Sequence, residues 1–226
     1  MMFAKALVAA CLLSGFALHA SAATDEESVD ASAGFLAHYS ALEKAGRPRK
    51  SYLVYLPEAV EGRQVKAVHV KNAVVAPADA KFDDVSPELL AKVLEQVNNK
   101  LRAGLSQKAR LTQDAIQADV QLLTAVTAIG AQEKGKGLVD LVPVRLVTGS
   151  IRNAVQGKEM EAVITFESRV LEATTGAVLR ERIDHVVGGE IGRSGDPDLH
   201  ITQEALNDAI DDWVKTIVKV TAPKLK

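Results

Sequence analysis

What this chain has least of sets the first limits. It holds a single cysteine, Cys11, inside its opening apolar stretch. Once that stretch is removed no thiol is left, which excludes disulfides and cysteine-ligated metals. Aromatic residues make up 4% of the sequence, and tryptophan occurs once, at Trp213. With 27 basic against 29 acidic residues the net charge is −2, and the basic residues are scattered rather than striped. A nucleic-acid binder normally shows a basic track interleaved with stacking rings, so that class has no support. After Ala23 no apolar run reaches the ~18 residues of a membrane-spanning helix, so no transmembrane span is expected. Two catalytic signatures are also missing. Gly188 to Gly195 is glycine-rich, but no Lys-Ser or Lys-Thr follows it as a phosphate loop requires. Thr148-Gly149-Ser150-Ile151 lacks the second glycine of a nucleophile elbow.

The opening residues are better described by what they contain. Lys5 supplies a positive start, Ala6 to Ala17 an apolar core, and Ala20-Ser21-Ala22 a small-residue cleavage site, which together predict a secretory signal over residues 1–22. Cleavage at Ala22 leaves 204 of the 226 residues, enough for one domain that buries roughly 70% of its unfolded surface. Leu7-Val8-Ala9-Ala10-Cys11 also reads as a lipobox, which would make Cys11 a lipidated first residue if cleavage does not fall at Ala22. Against that use, only Ala6 to Ala10 separate Lys5 from Cys11, fewer than the ~7 apolar residues an h-region needs before its cleavage site. Residues 23–31 are acidic and small, a flexible leader, and 32–226 form the single domain.

Alternation and spacing organise that domain. Met160 to Val187 alternates apolar and polar residues on both sides of Ala173-Thr174-Thr175-Gly176, predicting a β-hairpin. On its first strand Met160, Ala162, Ile164, Phe166, Ser168 and Val170 share one face. On the return strand Leu179, Ile183 and Val187 alternate with Arg180, Arg182 and Asp184. Earlier in the chain, Phe35, Leu36, Tyr39 and Leu42 are spaced for a short docking helix that ends at Gly46. Ser51 to Leu56 and Val65 to Val75 predict two strands that neighbour each other in the sheet. Ser86-Pro87-Glu88 opens a helix whose Leu90, Val93, Leu94, Val97, Leu101 and Leu105 form one apolar stripe. Ile116 to Val126 is a third, central strand, and the segment after Gly130 is a loop. Thr202 caps a last helix with Leu206, Ile210, Trp213 and Ile217 facing inward. The expected fold is α+β, a mainly antiparallel sheet of about five strands with two long amphipathic helices packed on one face.

Residues able to carry chemistry are few. Asp196, Asp198 and His200 alternate as D-x-D-x-H and would offer three ligands to a hard cation or Zn²⁺ if extended, although no fourth ligand is signposted and a turn is the plainer reading. Asp208, Asp211 and Asp212 share a helix face that reads as solvated. His38, His69, His185 and His200 could serve as bases, but no local nucleophile accompanies them. Arg47, Arg49 and Lys50 form a short basic run read as a solvated loop. Leu138 to Val155 is apolar and interrupted by Pro143 and Gly149. Its Val144, Val147 and Ile151 are the candidate contact with a protein partner or lipid, set against a plain core role. No catalytic residue, metal or cofactor is assigned.

Four stretches in this order carry a family resemblance: SAGFLAHYSAL, SYLVYLP, DVSPELLAKVLEQVNNKL, and the EATTGAVL hairpin ahead of the Trp213 helix. The chain resembles a bacterial lipoprotein family, domain of unknown function 3313, from Ser32 to about Leu225. The resemblance implies an envelope location and supplies no activity. It also implies a lipidated cysteine ahead of the domain, from which this sequence departs. The function expected is that of an exported periplasmic or outer-membrane-associated protein, non-enzymatic, that binds another envelope protein or a lipid. The alternative is a periplasmic metal-binding protein or hydrolase. Partner and oligomeric state are not legible.

Overall fold

One strand pair dominates the architecture, and its residues explain why. The structure is a computed structural model that describes residues 34–47, 50–80, 82, 85–135 and 157–226, within one unit spanning Ala31–Lys226. The elements in order are β1 (Glu43–Arg47), β2 (Lys50–Tyr55), β3 (Ala67–Val70), β4 (Val74–Val75), α1 (Pro87–Ser106), β5 (Arg110–Thr112), β6 (Val120–Glu133), β7 (Glu159–Glu172), β8 (Val178–Arg193) and α2 (Gln203–Thr221). The β7–β8 hairpin forms where alternation and turn chemistry place it. Gly176 takes φ +73°, its N–H reaches Glu172 O at 2.9 Å, and Thr175 Oγ1 donates to Glu172 Oε2 at 2.6 Å. A side chain at Gly176 would meet the steric penalty of the left-handed region.

The sheet has eight strands in the order β1-β2-β8-β7-β6-β3-β5, with β4 also on β6. It is mixed, not a five-stranded antiparallel sheet: β3 runs parallel to both β5 and β6, and β4 runs parallel to β6. The expected pairing of the first two strands is wrong. β2 lies between β1 and β8, while β3 sits on the far side of β6. The expected strand Val65 to Val75 is broken into β3 and β4, and α1 holds the break. Asn98 Oδ1 accepts from Ala73 N at 2.7 Å, and Arg102 Nη2 donates to Asn72 Oδ1 at 2.6 Å. β6 is central, as expected, but begins at Val120 and continues past Gly130 to Glu133 because it pairs with β7 to the end, Gln132 opposite Glu161.

The two helices begin where their caps are written. Ser86 Oγ accepts from Leu89 N at 3.1 Å and Thr202 Oγ1 accepts from Ala205 N at 3.2 Å. Val93, Val97, Leu101 and Leu105 of α1 and Leu206, Ile210, Trp213 and Ile217 of α2 are buried in one core with Phe166, Ile164 and Leu122 of the sheet. Each such side chain contributes about 1.5–3 kcal/mol when fully buried. Gln96 to Asn207 and Lys100 to Asp211 join the helices side by side. The glycine-rich segment after Val187 is not a loop. It is the end of β8, and α2 passes directly over it: a Cβ on Gly188 would stand 2.1 Å from Ala205 O.

The expected helix around Phe35 to Leu42 is absent. A three-residue 3₁₀ turn, Tyr39–Ala41, leads instead into β1. The Ala37 and His38 main-chain donors go to the side chain of Glu181, 144 and 143 positions along the chain, and those of Phe35 and Leu36 go to Tyr39 Oη.

Candidate functional site

Register decides which side chains share a face. Residues directly opposite on neighbouring strands point the same way, so Phe166 opposite Asp184 and Ser168 opposite Arg182 lie on the helix-covered face. Thr165 opposite His185, Glu167 opposite Ile183 and Arg169 opposite Glu181 lie on the other face. Both faces of the hairpin are buried there: Glu167 and Glu181 are 0% exposed. Charged strand residues that alternate with apolar ones normally face water; here Glu167, Arg169, Glu181, Arg182 and Asp184 find partners within the protein.

On the outer face the segment Phe35 to Tyr39 is clasped. Glu181 accepts from Ala37 N through Oε1 at 2.7 Å and from His38 N through Oε2 at 2.8 Å. Arg169 Nη1 donates to Phe35 O at 3.1 Å, and its Nε lies 3.0 Å from Glu181 Oε1. Tyr39 Oη donates to Glu167 Oε2 at 2.6 Å and accepts from Phe35 N and Leu36 N at 3.1 and 3.2 Å. The His38 ring stacks on Tyr55 with centroids 4.5 Å apart. Burial, opposed by the Tyr39 hydrogen bond and helped by the neighbouring Glu181 charge, pushes the Glu167 carboxyl up to about 7. The Tyr39 phenol is pushed above its ordinary range by burial and by that same bond.

On the helix-covered face Arg182 and Asp184 pair within one strand, Nε to Oδ1 at 2.7 Å, because residues two apart share a side. The Arg182 guanidinium lies 3.4 Å from the centre of the Tyr52 ring, a cation–π contact. Trp213 Nε1 donates to Asp184 Oδ2 at 3.2 Å, and the Trp213 ring stacks on Phe166 at 4.0 Å. Burial and the adjacent Arg182 charge pull the Arg180 guanidinium down to about 10. His185 faces outward against Thr165 Oγ1 at 2.8 Å, and burial holds its imidazole below the ordinary range.

The residues singled out from the sequence fall differently. Val144, Val147, Ile151 and Cys11 lie outside the described residues, as does Arg49. Asp196, Asp198 and His200 form no extended row of ligands. Asp196 Oδ1 accepts from Asp198 N at 3.0 Å and His200 Nδ1 lies 2.6 Å from Asp198 O, the geometry of a turn. Among the described residues no group of three or more His, Cys, Asp or Glu side chains is placed to hold a metal ion. The four histidines are not brought together; His69 bonds Thr112 O at 3.1 Å, away from the others' partners. On the acidic helix face Asp211 pairs with Lys100 across to α1. The clasp itself was missed by sequence reasoning. Its signal was the opposite charge of Arg169 and Glu181, which the turn at Gly176 sets opposite one another across the hairpin.

The comparisons with known proteins follow this geometry. A family model described as Protein of unknown function (DUF3313) matches residues 31–217. The uncharacterized lipoprotein YdcL of Escherichia coli strain K12 is 23% identical over 184 residues, 81% of this chain and 82% of the relative. Among solved structures, the PelC dodecamer from Paraburkholderia phytofirmans aligns with TM-score 0.37 and 15% identity over 76% of this chain and 98% of that one. Protein XCC0632 from Xanthomonas campestris aligns with TM-score 0.39 and 11% identity over 74% and 90%. No helix among the described residues is long and apolar enough to cross a membrane.

Proposed function

The chain belongs to the DUF3313 family of proteins of unknown function, and on that premise we propose that it is an exported cell-envelope protein that works by binding another protein or a lipid rather than by catalysis. The envelope placement is supported by the lipoprotein relative and by the signal-like residues 1–22. The binding reading is carried by one observation. The buried carboxylates of Glu167 and Glu181, the groups best suited to acid–base work, are occupied by the chain's own segment Phe35 to Tyr39. They fix the point at which the N-terminal end enters the domain. A domain docked this way at the end of its leader is suited to presenting its remaining surfaces to a partner.

Covalent crosslinking in intact cells, followed by fractionation and mass spectrometry of the captured species, tests this reading. Recovery in the envelope fraction with one reproducible envelope partner or lipid is expected. Recovery in the cytoplasm would remove the envelope assignment. Turnover of a substrate that disappears in a Glu167→Gln variant would replace binding with catalysis.

A further inference from the structure

A groove of about 430 Å³ lies where the C-terminal ends of α1 and α2 meet the last residues of the chain. Its floor is apolar, formed by Val214, Val218, Ala222 and Pro223. Gly104 makes the close approach of the helices there, since a Cβ at that position would stand 2.8 Å from Val218 Cγ2. Its rim carries Lys108, Lys215, Lys219, Lys224 and Lys226, and among the described residues no aspartate or glutamate side chain lines it. Ordinary helix electrostatics accounts for Lys219, which sits in the last turn of α2 near the negative end of the dipole. Lys108, just past the C-cap of α1, is served by that helix in the same way; Lys215, one turn earlier on α2, and Lys224 and Lys226 in the tail add to them on the same rim. Only Lys215 has a carboxylate nearby among the described residues, Asp212 at 3.8 Å. Five ammonium groups of one sign around a shared depression repel one another, and an anion seated among them would relieve that repulsion.

We infer that this groove docks the protein on a membrane surface through anionic phospholipid, its lysines on the phosphate and its apolar floor against the upper acyl chain. The inference rests on the reading of the protein as an envelope binding module and names the partner of one surface. Two features select a lipid over other anions. The floor offers apolar contact that a free phosphate or an acidic polysaccharide would leave unused. Among the described residues the rim holds no aromatic ring on which the bases of a single strand could stack.

The test is flotation of the full chain, purified from cells, with vesicles of phosphatidylcholine alone or mixed with phosphatidylglycerol. Binding to the mixed vesicles should exceed binding to the neutral ones by about tenfold or more and fall as salt is raised. Lys224→Gln with Lys226→Gln, in the tail, should lose that preference while melting at the wild-type temperature. Lys215→Glu with Lys219→Glu should lose it too, melting somewhat earlier because an acid then stands at the negative end of α2. Equal flotation on both vesicle types, or wild-type binding by a folded charge variant, overturns the inference. So does displacement by inorganic phosphate beyond that by chloride of equal ionic strength, which would mark a free-phosphate site. Fractionation of the same variants with the envelope separates this outcome from the broader proposal, which does not depend on vesicle binding.

Discussion

Tyr39 donates its phenolic hydrogen to Glu167 at 2.6 Å, joining residues 128 positions apart in the chain. The same oxygen accepts from the Phe35 and Leu36 amides, so one side chain closes a local loop and a long-range contact together. Tyr39→Phe keeps the ring and removes all three bonds. Leaving a buried carboxylate and two amides without their partner should lower stability by about 1–3 kcal/mol. Chemical denaturation with an unchanged m-value would show it. Because the tyrosine bond lowers the Glu167 pKa, the variant should also raise that pKa above about 7, read by NMR titration.

Stability should fall as pH rises between about 4.5 and 7. In that window folded Glu167 holds a proton that the unfolded chain has released, so unfolding gains from every increase in pH. The shift corresponds to a loss of about 3 kcal/mol, complete above pH 7. His185 works the other way below pH 6.5, since burial disfavours its charged form. Glu167→Gln isolates the first effect, because its amide oxygen can still accept from Tyr39. It should melt higher than wild type at pH 8 and match it at pH 5. Equal melting shifts at both pH values would assign the change to packing instead.

Two adjacent glycines make a controlled comparison. Gly188→Ala forces a Cβ against Ala205 O at 2.1 Å, where only movement of α2 can relieve it. A loss of about 3 kcal/mol or more is expected. Gly189→Ala meets nothing closer than Ala205 Cα at 3.4 Å and should stay within about 1 kcal/mol of wild type. Urea midpoints of the two variants decide it.

Asp184→Asn should cost about 3–5 kcal/mol, because it strands the buried Arg182 charge while leaving the volume unchanged. Trp213→Phe removes only the indole N–H to Asp184 and part of the stack on Phe166, and should cost about 1–3 kcal/mol. Because Trp213 is the single tryptophan and is 1% exposed, its emission reports the state of this network directly in Asp184→Asn.

Local chemistry was legible where it governs structure. The hairpin follows from its alternation and its Gly176 turn, and both long helices follow from Ser86 and Thr202 caps with apolar stripes behind them. What escaped depends on contacts between distant segments. Phe35, Leu36, Tyr39 and Leu42 have helical spacing, but the long-range bonds of this stretch to Glu181, Arg169 and Glu167 override that local preference. Nothing in the strands that hold Glu167 and Glu181 announces the cover they receive, because Tyr39 lies 128 positions upstream of Glu167, and Ala37 and His38 lie 144 and 143 positions upstream of Glu181. Chain order likewise suggested that β2 and β3 pair, whereas hydrogen-bonding edges assign β2 to β8 and β3 to β6. The close helix crossing at Gly188 and Gly189 was not legible either, because glycine signals a turn and a close backbone approach equally well.

The clasp also has a mechanical side. Among the described residues β1 is an edge strand of five residues paired only with β2, and strands at an edge unzip one bond at a time when pulled from their end. A force arriving at Gly34 meets the bonds from Phe35, Ala37, His38 and Tyr39 before it reaches β1, and those bonds lead to β7 and β8 in the interior of the sheet. Load is thereby passed to two long paired strands, and the edge strand β1 is left out of the path.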